Sequence, residues 1–182
     1  MGVSLTFVLG GARSGKSDFA LARATRWERD LHQTVTFVAT GEARDTEMAQ
    51  RIHSHQAQRP PGWVTVEEPL NVDEWLVGHS NRPIVIIDCL SLLVSNWLGQ
   101  DVGEAALRDR SQSWLQAVSQ FPGHLLVVSN EVGQGLIPTT PLGRVYRDGL
   151  GWLNQKTAAL AKDVVWVVAG LGINLRDFQV QP

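Results

Sequence analysis

Eight consecutive residues, Gly10-Gly11-Ala12-Arg13-Ser14-Gly15-Lys16-Ser17, join a glycine-rich turn to a lysine and a hydroxyl. An apolar run, Leu5 to Leu9, precedes them, and a stretch of helical spacing, Lys16 to Leu31, follows. G-x-x-x-x-G-K-[ST] between a strand and a helix is the pattern of a phosphate-binding loop. Glycines let the main chain wrap closely with its N–H groups pointing inward, and the helix adds its positive end. All eight residues are therefore expected to bind nucleotide. Lys16 would reach the β- and γ-phosphates as a catalytic cation, and the Ser17 hydroxyl would ligate Mg²⁺. The metal also needs a carboxylate. Ile84-Val85-Ile86-Ile87-Asp88, four apolar residues ending in an acid, offers Asp88 at a strand's carboxyl end beside the loop. An acidic cap after a strand is the plainer reading of Asp88.

A second candidate lies in Arg51-Ile52-His53-Ser54-His55. On a helix, residues i and i+2 point about 200° apart, so His53 and His55 do not chelate one ion together. His55 shares a helix face with Met48 and Ile52, the face expected to turn inward. Two readings follow from the pattern: a packed histidine, or a nucleophile whose neutral imidazole attacks phosphorus to give a phosphoramidate. A free imidazole, with a pKa of about 6.5, is largely neutral at pH 7. The pattern alone does not choose.

Positioning these groups requires an alternation of elements. Strands are expected at Leu5 to Leu9, Thr34 to Ala39, Val64 to Val66, Ile84 to Ile87, Leu125 to Val128 and Val164 to Val168. Several are apolar at nearly every position, as in parallel strands covered on both faces. Helical spacing marks Lys16 to Leu31, Asp45 to Gln58, Glu104 to Phe121 and Leu142 to Lys162. The expected fold is an α/β three-layer sandwich, mostly parallel and RecA-like in strand order, forming a single catalytic domain over residues 1–182. Right-handed crossovers bring the strand carboxyl ends, and hence the ligands, to one edge.

Composition narrows the class. A chain of 182 residues, 43% apolar and 19% charged, suits one globular domain with a sizeable core. The net charge of −2 without a block of Lys or Arg argues against a nucleic-acid partner. No apolar run is long enough to span a membrane. Met1-Gly2-Val3-Ser4 does not read as a secretion signal, and a cytoplasmic location is expected. One cysteine, Cys89, excludes an intramolecular disulfide and a cysteine-based zinc site. The seven Trp are scattered and suit core and interface packing.

The chain resembles one family almost end to end, the bifunctional adenosylcobinamide kinase / adenosylcobinamide-phosphate guanylyltransferases of cobalamin biosynthesis. The phosphate loop is similar without a gap. So are Ala39-Thr40, Thr46-Glu47-Met48, the Arg51-to-His55 stretch, Arg59-Pro60, Trp63-Val64-Thr65 and Glu67-Glu68-Pro69. Asn130-Glu131-Val132-Gly133, with Gly135 and Pro138, resembles a later family motif. Arg144, Arg147-Asp148, Gly151 and Asn154-Gln155 resemble its last helix. Asp88 stands where the family carries an acid of either length, and the segment from Asn96 to Glu104 is short, which implies a shallower substrate edge.

The resemblance implies two reactions. ATP or GTP phosphorylates the aminopropanol hydroxyl of adenosylcobinamide, and GTP then transfers GMP to that phosphate, releasing pyrophosphate. The second step passes through a guanylylated histidine, which maps onto His55. Glu67 would bind the nucleotide, through guanosine or metal, against a plain reading as a solvated acidic turn. Asn130 and Glu131 fall at the ligand edge without an assigned role. Arg144 and Arg147 either bind phosphate or pair with Asp148. The family also implies a homo-oligomer, typically a trimer, with exposed Trp at its interface. Competing readings are a phosphate-loop kinase acting on another metabolite, a nucleotide-dependent switch, and a guanylyltransferase lacking the kinase activity.

Overall fold

The computed structural model describes residues 4–43, 45–100 and 103–180. The first three residues, on which the reading of the chain's start rests, lie outside them. So do Arg44 of the quoted histidine stretch and Asp101-Val102 of the segment read as short.

All six expected strands form, as β1 (Ser4–Gly10), β2 (Val35–Ala39), β3 (Val64–Glu67), β4 (Ile84–Asp88), β5 (His124–Asn130) and β6 (Asp163–Val168). A further strand, β7 (Leu171–Asn174), pairs antiparallel with β6 at the sheet edge. The sheet order is β3-β2-β4-β5-β1-β6-β7. Every other pairing is parallel. The near-continuous apolar runs follow from this arrangement, because inner strands bury both faces. Phe7 and Leu9 enter one core with Val85, Ile87, Leu125 and Val127. Val8, between them, enters the other with Ile84, Ile86, Leu126 and Val128.

The four expected helices are α1 (Lys16–Leu31), α2 (Thr46–Ala57), α5 (Glu104–Gln120) and α6 (Pro141–Leu160). Their ends obey local chemistry. Asp45 caps α2 by accepting from Met48 N at 2.7 Å, and Thr140 caps α6 ahead of Pro141 at the first turn. Two shorter helices, α3 (Val72–Gly78) and α4 (Leu90–Leu98), escape the sequence pattern. In α4 seven of nine residues are buried, so it shows no polar stripe to reveal its period. A 3-10 turn over Leu175–Phe178 follows β7. Among the described residues no helix is long and apolar enough to cross a membrane.

Helices α3 to α6 contribute to the first core, around Trp97 and Trp114, whereas α1 lies over the second through Ala20 and Ala24. Most Trp are packing residues. Trp63, Trp97 and Trp114 are buried, and each indole N–H has a partner, Glu28, the Leu70 carbonyl and Thr157 respectively. Trp152, at 38% relative exposure, is the only Trp among the exposed large apolar residues described.

Candidate active site

The strand carboxyl ends converge on one edge. Gly10 pairs with Asn130, Asp88 with Val128, and Ala39 with both Asp88 and Glu67. The phosphate loop leaves β1 there. Gly15, at φ 92°, caps α1 in the left-handed region that favours glycine. A side chain at Gly15 would also come within 3.0 Å of Gly170 Cα. Gly170 lies in the tight β6–β7 turn, where Ala169 and Gly170 both have positive φ, and its N–H donates to Ser14 O at 2.8 Å. The hairpin therefore buttresses the loop from behind. Sequence reading missed it. Its signal was a glycine between two short apolar runs, without the Asn-Gly or Asp-Gly pair that announces such turns.

Two lobes of one cleft open at this edge. The outer lobe, about 610 Å³, is lined by Ala12 to Asp18 of the loop and by Ser54, His55, Gln58 and Asn130. The inner lobe, about 210 Å³, reaches under α2 to Asp88, Arg59, Cys89 and the apolar Met48, Ile52 and Leu92. Lys16, Ser17, His55 and Asn130 border both lobes. Met48 and Ile52 turn inward as expected and are half-buried, while His55 is exposed. The packed-histidine reading therefore does not describe this chain: His55 stands at the cleft mouth, facing the loop.

Lys16 Nζ donates to Gly11 O at 2.9 Å, which holds the ammonium over the loop. Burial lowers its pKa, opposed by Cys89 and Asp88. Strand β5 separates β4 from β1, so Asp88 is beside the loop without being on a neighbouring strand. Ser17 closes that gap with a side-chain hydrogen bond to Asp88. Burial raises the Asp88 pKa, and His55, Ser17, Lys16 and Arg59 act in the opposite direction by favouring its carboxylate. The set of one hydroxyl and one carboxylate, both hard oxygen donors next to a phosphate cradle, suits a Mg²⁺ that keeps phosphate and water as its other ligands. Among the described residues no group of three His, Cys, Asp or Glu is gathered as a metal cage.

Thr40 fixes the backbone behind Asp88. Its hydroxyl donates to Cys89 O at 2.8 Å and accepts from Cys89 N at 2.7 Å. Arg59, to which the sequence reading gave no role, stacks its guanidinium 3.9 Å from the Phe37 ring centroid inside the inner lobe. Burial lowers its pKa, with Asp88 and Glu67 opposing.

The remaining candidates sit outside the lobes. Glu67 accepts from Gln56 at 3.3 Å, one residue beyond His55. Glu68 is no free acidic turn, since its carboxylate accepts from the N–H groups of Leu70 and Asn71 ahead of α3. Glu131 accepts from Gly133 N at 2.6 Å, ordering its own loop. Arg144 donates to the Pro138 and Thr139 carbonyls, and Arg147 pairs with Asp148 at 3.0 Å.

Residues 6–175 match the family model described as cobinamide kinase / cobinamide phosphate guanyltransferase. The chain belongs to this family. It is 38% identical over 170 residues to the bifunctional adenosylcobalamin biosynthesis protein CobP of Pseudomonas aeruginosa, covering 93% of this chain and 95% of the relative. It is 36% identical over 185 residues to the protein of that description named CobU in Escherichia coli strain K12, covering 94% and 99%. The Salmonella typhimurium CobU is 34% identical with the same coverage. Among solved structures, the ATPase domain of a helicase superposes with a TM-score of 0.51 at 12% identity, over 90% of this chain and 68% of that one. That likeness concerns the fold alone, and it agrees with the RecA-like phosphate-loop architecture expected for a cobinamide kinase / guanyltransferase chain.

Proposed function

We propose that this chain phosphorylates adenosylcobinamide with ATP or GTP, then transfers GMP from GTP to the resulting phosphate through a guanylylated His55. The observation that carries the reading is that His55 borders both lobes of a cleft whose floor holds Lys16 and Ser17. A kinase acting on some other metabolite would have no use for an exposed imidazole facing its phosphate loop.

In guanylylation, the His55 imidazole attacks the α-phosphorus of GTP in line. The bond from the α-phosphorus to the bridging oxygen breaks, and pyrophosphate leaves into the cradle of loop N–H groups and Lys16, where its growing charge is met by positive dipoles already in place. The phosphate of adenosylcobinamide phosphate next attacks the same phosphorus, and His55 departs as neutral imidazole. In the kinase step the same loop holds the triphosphate while an alcohol approaches the γ-phosphorus. Mg²⁺, held by Ser17 and Asp88, would supply further neutralisation of phosphate charge. Glu67, tied to α2 through Gln56, is assigned to the guanosine end, where a carboxylate matches the N–H donors of guanine.

A cytoplasmic location follows from the need for ATP and GTP. Homo-oligomers, trimers by family resemblance, are the proposed assembly, and light scattering on the purified chain measures this directly. The activity is tested by supplying ATP, Mg²⁺ and adenosylcobinamide, then GTP, and identifying products by mass spectrometry. Sequential appearance of adenosylcobinamide phosphate and adenosylcobinamide-GDP is expected. Nucleotide binding without either product would favour the kinase of another metabolite, and conversion of supplied phosphate alone would leave a guanylyltransferase.

A further inference from the structure

We propose that the Asn130 carboxamide orients the acceptor hydroxyl in the kinase step. This rests on the activity proposed above and assigns a residue to it.

Strand β5 runs between the strand feeding the phosphate loop and the strand carrying Asp88. Its last residue, Asn130, pairs with Gly10, the first residue of the loop, and borders both lobes of the cleft. Its main chain is held from two sides. Asn154 Nδ2 donates to Asn130 O at 3.1 Å, while Asn154 Oδ1 accepts from the Ser129 hydroxyl at 2.8 Å. Glu131 N donates to Gly10 O at 3.2 Å, tying the end of β5 to the loop. Ser129 and Asn154 are buried, so this clamp is part of the core. Within this well-bonded setting, Asn130 Oδ1 is itself buried and has no hydrogen-bond partner among the described residues. Folded chains seldom leave such an atom unpaired unless a ligand or water completes it.

The chemistry of the two reactions selects the partner. An amide oxygen only accepts, so it makes no hydrogen bond to phosphate oxygens, which also only accept. In guanylyl transfer the reacting atoms are an imidazole nitrogen, the α-phosphorus and phosphate oxygens, and none brings a hydroxyl. The kinase acceptor does, because it is an alcohol. Accepting that hydrogen turns the alcohol's lone pair toward the γ-phosphorus. The new oxygen–phosphorus bond forms, the bond from the γ-phosphorus to the β-bridging oxygen breaks, and a nucleoside diphosphate leaves. Asn130 is too weak a base to keep the proton, which passes to the transferred phosphoryl group and then to solvent.

The test compares Asn130→Ala and Asn130→Asp in the full chain, measuring adenosylcobinamide phosphorylation with ATP and, separately, the rate of GMP attachment to His55. Asn130→Ala should lower the kinase kcat about 10²-fold, the scale of a lost orienting contact, with the KM for ATP little changed. GMP attachment should proceed at the wild-type rate, which also shows that the variant folds. Asn130→Asp keeps an acceptor oxygen in place and should recover part of the kinase rate. Equal loss of both activities would overturn the assignment, because it would mark a shared nucleotide contact, and so would an unchanged kinase rate. Wild-type protein that attaches GMP but never phosphorylates adenosylcobinamide would overturn the kinase reading itself, and Asn130 would lose its role with it.

Discussion

The phosphate loop and helix α2 face each other across the cleft and are held in opposite ways. Behind the loop stand the β6–β7 hairpin, through the Ser14–Gly170 bond, and α1, whose Ala20 and Ala24 are buried in the sheet. Helix α2 has an N-terminal cap but no buried residue among those described, and Met48 and Ile52 reach only half-way into the inner lobe. The group that grips phosphate is thus rigid, and the group proposed to attack it rides on a lightly seated helix. Electrostatic stabilisation works best from donors that need no rearrangement. A nucleophile that must first meet GTP and then yield to a bulky second substrate gains from an element with few buried contacts.

The largest effect should come from the rigid side. Lys16→Met should slow both kinase and guanylylation about 10³-fold, the scale of losing one preorganised donor or more, while leaving the thermal midpoint close to wild type. Loss of only one activity would mean that the two steps do not share the loop. Next comes the packing contrast. Trp114, fully buried in the first core, should cost about 3–5 kcal/mol when changed to Ala, whereas Ile52→Ala on α2 should cost about 1 kcal/mol, both read from urea unfolding. Similar costs at the two sites would remove the distinction between a packed frame and a loosely held helix.

A smaller effect probes the packed face through pH. Tyr146, the single tyrosine, donates to Ser91 O at 3.3 Å and joins α6 to α4. Burial, with a smaller contribution from Cys89, pushes its pKa from 10.0 up to about 12. The folded chain then binds its phenolic proton more tightly than the unfolded chain does. That contribution to stability is complete below pH 10 and is lost as pH rises toward 12. Ultraviolet titration of the phenolate should show the displaced midpoint in native protein and the ordinary one in denaturant. A native midpoint at the ordinary value would mean that the α4–α6 contact is open to water.

Much of this arrangement is legible in the residues themselves. The loop is contiguous, so its own eight residues suffice to read it, and inner strands covered on both faces leave apolar runs that nothing else explains. Helix α4 is hidden for the converse reason: buried nearly all round, it has no polar face to give a period. Strand β7 lies at the sheet edge with Leu171 and Ile173 exposed, so neither continuous apolarity nor clean alternation marks it. Pattern left His55 between packing and catalysis because its approach to the loop is a tertiary fact, set by how α2 lies over the edge. The same holds for Asn130, whose level with Gly10 exists only once β5 has inserted beside β1, and for Gly170, at the far end of the chain from the loop that its turn supports.

The central claim is that His55 carries GMP. Purified chain should be incubated with GTP and Mg²⁺, freed of nucleotide and weighed intact, with His55→Ala treated alongside. The account predicts a GMP-sized increment on the wild type that is labile to acid and missing from the variant. A wild-type chain that binds GTP yet gains no mass, or a His55→Ala chain that gains the same mass, would contradict it.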